Sequence, residues 1–155
     1  MKSKITGGDT SLLFEKKVLG KFDVKYFRCE DTGFIQTEDP YWLEESYSSA
    51  ITKLDIGLPY RNIQQSEKFS KILSAYFDVG KKYLDFAGGY GLFTRLMRDR
   101  GFDFYHTDIY CKNIFAEYFE ADLNHLNEKF ELITAMEVFE HMKNPVEEIA
   151  TLFSY

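Results

Sequence analysis

Apolar residues in the second half of the chain alternate between two spacings, and their order predicts strand, turn, helix and strand. Tyr83, Leu84 and Phe86 form a short apolar run of the kind buried in a parallel sheet. Leu92, Phe93, Leu96 and Met97 then fall at helical spacing, and Phe102 to Tyr105 forms a second run leading into His106, Thr107 and Asp108. Between the first strand and the helix stand Gly88, Gly89 and Gly91, residues that let a turn tighten and bring its backbone against a ligand.

The first half has a weaker pattern. Val18 to Phe22, Val24 to Cys29 and Gly33 to Thr37 read as short strands, joined by turns at Gly20 and at Asp31 to Gly33. Pro40 breaks this pattern. Trp42 to Ser49 predicts a short helix and Asn62 to Phe77 a longer one, with Ile63, Phe69, Ile72, Leu73, Tyr76 and Phe77 as its apolar stripe. The expected fold is α/β: a Rossmann-like, mostly parallel sheet over residues 59–155, preceded by a small β-hairpin and helical appendage over residues 1–58.

The strand-turn-helix-strand unit carries the candidate chemistry. Asp108 closes the second strand 17 residues beyond Gly91, where a carboxylate accepts hydrogen bonds from the two hydroxyls of a ribose. A dinucleotide fold places a third small residue three positions after Gly91 and a pyrophosphate over the turn. Thr94 stands there instead, and Asp85 lies just before the turn, so its negative charge disfavours a pyrophosphate and suits a cationic group. S-adenosylmethionine, with an ammonium and a sulfonium, meets that requirement.

Asp85, Ala87, Gly89 and Gly91 resemble the first motif of the class I S-adenosylmethionine-dependent methyltransferases, an acid followed by alternating glycines, with Ala87 where the family usually has glycine. Two later segments extend the likeness. Asp122, within Tyr118 to Leu123, lies where such enzymes place a polar side chain near the adenine amino group. Leu132 to Met136 corresponds to the family's fourth strand, followed by the typical run from Glu137 to His141. Asn144 and Pro145 then open a helix expected to reach Ser154, the proline lacking only a donor that has no partner there. The resemblance covers about Lys81 to Tyr155 and implies S-adenosylmethionine as cofactor, bound by Asp85, Ala87, Gly88, Gly89, Gly91, Asp108, Ile109, Asp122, Leu123 and Met136.

Composition narrows the classes of function. With 155 residues, 45% of them hydrophobic and 17% aromatic, the chain has material for a packed core. Nineteen basic against 25 acidic residues give a net charge of −6, which provides no electrostatic footprint for nucleic acid or an anionic membrane surface. No run of about eighteen apolar residues and no leader pattern stands in the sequence, so a cytoplasmic protein is expected. Arg95, Arg98 and Arg100 read most simply as a solvated helix face.

Cys29 and Cys111 form no paired-cysteine motif, and neither a structural disulfide nor a complete zinc site is expected. The stretch from Cys29 to Gly33 resembles the zinc knuckle at the start of many bacterial methyltransferases that act on sugars. Thr32 replaces the second cysteine there, and a hydroxyl is no substitute for a soft thiolate ligand. That likeness directs the expected small-molecule acceptor toward a sugar or polysaccharide precursor.

Methyl transfer from a sulfonium is an in-line displacement, in which an enzyme positions the nucleophile, excludes water and supplies a base where the acceptor must lose a proton. The resemblance places the segment after the fourth strand beside the methyl group, so Glu137 and His141 are the catalytic candidates, with histidine the better base near neutrality. On a helix Glu137, Glu140 and His141 would also share one face, as metal ligands do, although no bound metal is expected. The family sheet normally has seven strands, whereas only one helix follows the fourth strand here. A truncated or split enzyme, or a shortened relative that completes its sheet through a partner, is therefore expected, with the fourth strand an exposed edge open to self-association. The alternatives are a noncatalytic cofactor-binding or interaction module and a nicotinamide-dependent oxidoreductase.

Overall fold

The computed structural model describes residues 1–46, 55–126 and 129–155. The chain divides into two units, Met1–Ser49 with His141–Thr151, and Ala50–Glu140 with Leu152–Tyr155.

In the first unit, β1 (Thr10–Val18), β2 (Phe22–Cys29) and β3 (Ile35–Thr37) form an antiparallel sheet in that order. The expected strand from Val18 to Phe22 is instead the reversal between β1 and β2. Leu19 and Gly20 are both left-handed, with φ of 52° and 74°, and the Lys21 N–H donates to the Val18 carbonyl at 3.2 Å. Two successive left-handed residues match the twist of a hairpin. β1 escaped the sequence pattern because it alternates poorly: its register shifts between Leu12 and Phe14, and both residues are exposed. β3 begins two residues later than expected, since Gly33 is still in the turn, at φ 74° with its N–H on the Cys29 carbonyl.

The predicted helix from Trp42 to Ser49 is seen as α1 (Leu43–Ser46), and positions 47–49 lie outside the described residues. Late in the chain α4 (Pro145–Leu152) stops two residues short of expectation. Asn144 and Glu148 secure its start reciprocally, with the Asn144 N–H on the Glu148 carboxylate and the Glu148 N–H on the Asn144 carbonyl.

The second unit opens with α2 (Leu58–Tyr76), which starts four residues before the predicted boundary, with Pro59 in its first turn. Proline is preorganised for that position. The parallel sheet follows: β4 (Lys82–Phe86), α3 (Leu92–Asp99), β5 (Asp103–Thr107) and β6 (Leu132–Thr134), with β4 central between β5 and β6. His106 on β5 bridges in parallel to Glu120, so one further stretch of backbone lies outside β5. Strand order therefore runs outward from β4 through β5 to Glu120 on one side and reverses to β6 on the other. Ligands of open parallel sheets bind at the carboxyl ends of the strands beside such a reversal. β6 ends at Thr134 rather than Met136: its last partner on β4 is Asp85, one residue before β4 itself ends at Phe86.

One face of this sheet is packed by helices. Leu73 from α2, Phe93 and Met97 from α3, and Tyr83, Phe102 and Phe104 form the buried cluster, with Phe69, Phe77, Leu132 and Met136 against it. Tyr83 stacks on Phe104 with ring centroids 5.1 Å apart, and Phe93 meets Phe104 edge-on at 5.6 Å. The α2 stripe is narrower than its sequence suggests: Leu73, Phe69 and Phe77 pack inward, whereas Ile63, Ile72 and Tyr76 are exposed. Among the described residues no helix is long and apolar enough to cross a membrane.

Candidate functional site

The turn between β4 and α3 is built from left-handed residues. Ala87, Gly89 and Gly91 have φ of 54°, 61° and 81°. For alanine that conformation costs about 1–2 kcal/mol, which explains why glycine would be favoured at position 87. Gly91 is required for space as well as conformation. A Cβ there would stand 2.5 Å from Asn113 Oδ1 and 3.1 Å from the Ala116 methyl. The segment after β5 is fastened over the turn at this point, with the Ile114 and Phe115 N–H groups both on the Tyr90 carbonyl at 3.0 Å.

Asp108 ties the end of β5 to the turn. Its Oδ2 accepts the Gly89 N–H at 2.9 Å, and its Oδ1 accepts those of Tyr110 and Cys111 at 2.7 Å each. A carboxylate offers about four acceptor directions. Three are used by the main chain, which among the described residues leaves one on Oδ2 open. The expected pair of ribose hydroxyls thus meets a carboxylate with room for one direct bond.

Asp85 lies beneath the turn rather than on its surface. It is 1% exposed and accepts hydrogen bonds from the Thr134 hydroxyl at 3.0 Å and the Thr94 hydroxyl at 3.1 Å. Burial pushes its pKa up to about 7, against the pull of the two threonines, and nearby Asp108 pushes the same way. Asp85 consequently shapes the site through the turn, tying β4 to α3 and β6. Thr94, whose size argued against a dinucleotide turn, serves as the donor of that tie.

His106 was not singled out by sequence, yet it completes the floor. It is buried, it pairs with Asp85 across β4 and β5, and its Nε2 lies 3.1 Å from the Gly89 carbonyl oxygen. Burial lowers its pKa, opposed by the Gly89 carbonyl and by Asp108 and Glu120. A signal was present in the alternation of β5, where Phe104 and His106 are the two inward positions and Asp108 continues the same series.

The remaining candidates are more dispersed. Asp122 follows directly on Ala121, whose N–H bonds the His106 carbonyl at 2.8 Å. Its exposed carboxylate accepts from His125 Nδ1 at 2.8 Å and from the Asn124 N–H, and the His125 bond chiefly holds its pKa below the usual range. Ile109 is exposed, Leu123 half-buried, and Met136 packs against the core. Glu137 is left-handed at φ 57°, and His141 closes the 3₁₀ turn Phe139–His141. That backbone is no α-helix, so the i, i+3, i+4 face imagined for Glu137, Glu140 and His141 does not form. Among the described residues no group of three or more histidine, cysteine, aspartate or glutamate side chains is arranged to hold a metal ion.

One other expectation changes in detail. Arg98 is no solvated face residue: its Nη1 donates to Asp103 and to the Phe104 carbonyl, both at 2.7 Å, and its guanidinium lies 3.5 Å from the Phe119 ring centroid. Arg95 pairs with Asp99 in the exposed manner expected. In the first unit Cys29 is buried, with Thr6 Oγ1 3.6 Å from its sulfur, and the Thr32 hydroxyl and N–H chiefly draw its pKa down to about 6.

A sheet of this order, a left-handed glycine turn at the end of its central strand and an acid at the end of the neighbouring strand describe a small-ligand site without naming the chemistry. No curated protein matches the chain. A family model described as a methyltransferase domain matches residues 60–155. That match takes in more than half of the chain and the whole of the glycine-turn site, and the chain therefore belongs to the methyltransferase domain family.

Proposed function

We propose that the chain binds S-adenosylmethionine at the glycine turn and transfers its methyl group to a small-molecule acceptor. The observation that carries this reading is the Gly89 N–H bonded to Asp108 at the carboxyl ends of β4 and β5, with one carboxylate acceptor position left over. That donor set fits a ribose hydroxyl. In this proposal the part of the buried Asp85 is to hold the turn through Thr94 and Thr134 rather than to meet the cofactor's ammonium.

When bound, the cofactor supplies an electrophilic methyl group on a sulfonium. The chain's own residues have the positioning tasks: Asp108 orients the ribose, the turn from Ala87 to Gly91 receives the cofactor backbone, and Asp122, Leu123 and Ile109 border the adenine. Glu137 and His141 are assigned to the acceptor, orienting it or taking its proton. The stretch from Cys29 to Gly33, with Thr32 in place of a second cysteine, favours a sugar or polysaccharide precursor as acceptor.

Calorimetric titration with S-adenosylhomocysteine, with NADH as control, tests the proposal without requiring an acceptor. Micromolar affinity for the first ligand alone is expected. Binding of NADH, or of neither ligand by a folded sample, would refute it.

A further inference from the structure

We propose that His106 is a positioning residue that clamps the Gly89 peptide from below and, together with Asp108, fixes the plane of the ligand-facing turn. Gly89 is held at both of its polar groups by side chains of one strand and its extension. Its N–H donates to Asp108 Oδ2 at 2.9 Å and its carbonyl oxygen lies 3.1 Å from His106 Nε2. His106 lies within β5 and Asp108 just beyond its end, and the side chains of both reach the Gly89 peptide. A carbonyl only accepts, so the ring must carry its proton on Nε2 to make this bond.

The backbone of His106 is held as well. Its N–H donates to the Phe119 carbonyl and its carbonyl accepts the Ala121 N–H, both at 2.8 Å, which joins β5 to the backbone beside it. Its ring also fills the space under Gly88, where an added Cβ would come within 2.9 Å of the ring carbon Cδ2. The side chain therefore spans from the middle of the sheet to a left-handed peptide that no strand partner supports. Removing the donor leaves the Gly89 carbonyl unsatisfied and its peptide free to rotate against the Asp108 bond. That the clamped turn serves a cofactor rests on the proposed function; the clamp itself does not.

Three variants separate donor reach from burial. The glutamine amide reaches as far as Nε2, the asparagine amide falls short, and leucine fills the space without a donor. In the ligand-free protein, hydrogen exchange of the Gly89 and Tyr90 amides, followed by NMR, should accelerate about tenfold or more in His106→Leu and His106→Asn. It should stay within about threefold of the parent in His106→Gln, a rescue that a merely space-filling role would not produce. S-adenosylhomocysteine affinity should follow the same order, weakened about tenfold by leucine or asparagine. Unchanged turn exchange in His106→Leu overturns the clamp, as does acceleration in glutamine equal to that in asparagine. If leucine does not fold, the glutamine and asparagine pair decides alone. Failure of the parent to bind S-adenosylhomocysteine would count against the proposed function, and the exchange comparison would still decide the clamp.

Discussion

Gly88→Ala tests the packing of the turn floor most sharply. The backbone at Gly88 does not have a positive φ, so alanine meets no conformational penalty there, and space alone is at issue. An added Cβ would stand 2.8 Å from Asp85 Cγ and 2.9 Å from His106 Cδ2, and closer still to Asp85 Oδ2. Neither neighbour is a loose end of a flexible chain. Swinging Asp85 aside breaks its bonds to Thr94 and Thr134, about 0.5–1.5 kcal/mol each, in line with the 1–3 kcal/mol typical of overpacking. Alanine returns about 0.4–1 kcal/mol by restricting the unfolded chain. The net expectation is a loss of about 1–2 kcal/mol, read from the midpoint of urea denaturation at constant m-value. Repeating the substitution in an Asp85→Ala background should reduce the loss without abolishing it, because the collision with Asp85 is gone and the contact with His106 Cδ2 remains. A loss below about 0.5 kcal/mol in the parent background, or the same loss in both, would refute the argument.

Ala87→Gly should stabilise the protein by about 0.5–1 kcal/mol, the relief of a left-handed alanine less the entropy returned to the unfolded chain; denaturation showing destabilisation would contradict this. Asp85 has a folded pKa of about 7, above the ordinary carboxyl value of 3.8, so the folded state holds its proton more tightly. Its contribution is therefore fully present below pH 3.8 and is lost as pH rises toward 7. Relative to the parent, Asp85→Asn should gain about 2–3 kcal/mol of stability between pH 5 and pH 8, and a flat difference would show that Asp85 ionises normally. Arg98→Met removes two hydrogen bonds and the contact with Phe119 while keeping the stem, and should cost about 2 kcal/mol in thermal or urea unfolding; a neutral result would mean that Arg98 is solvated after all.

What was legible in the sequence is what local spacing controls. The runs at Tyr83 and Phe102, the glycines between them and the amphipathic α3 each follow from neighbours within a few residues, and β4, the turn, α3 and β5 stand where that spacing puts them. β1 was not legible, because its irregular register and two exposed faces erase the period that marks a strand. The helical face of Glu137, Glu140 and His141 failed for a related reason: spacing implies a face only on a regular helix, and a left-handed residue followed by a 3₁₀ turn supplies none. His106 was hidden because a histidine in an apolar run gives no sign of the carbonyl it will reach, and that carbonyl belongs to a residue 17 positions away. Asp85 was visible as an acid before a glycine turn, but its depth depends on Thr94 and Thr134, donors from two other elements.

In the proposed function the turn from Ala87 to Gly91, with Asp108, receives S-adenosylmethionine. Amide chemical shifts recorded during titration with S-adenosylhomocysteine test ligand and location together. Saturable shifts at Gly88, Gly89, Tyr90, Gly91 and Asp108, with none caused by NADH, are the predicted result. Shifts confined to other parts of the chain, or a spectrum unchanged at millimolar ligand in a folded sample, would contradict it.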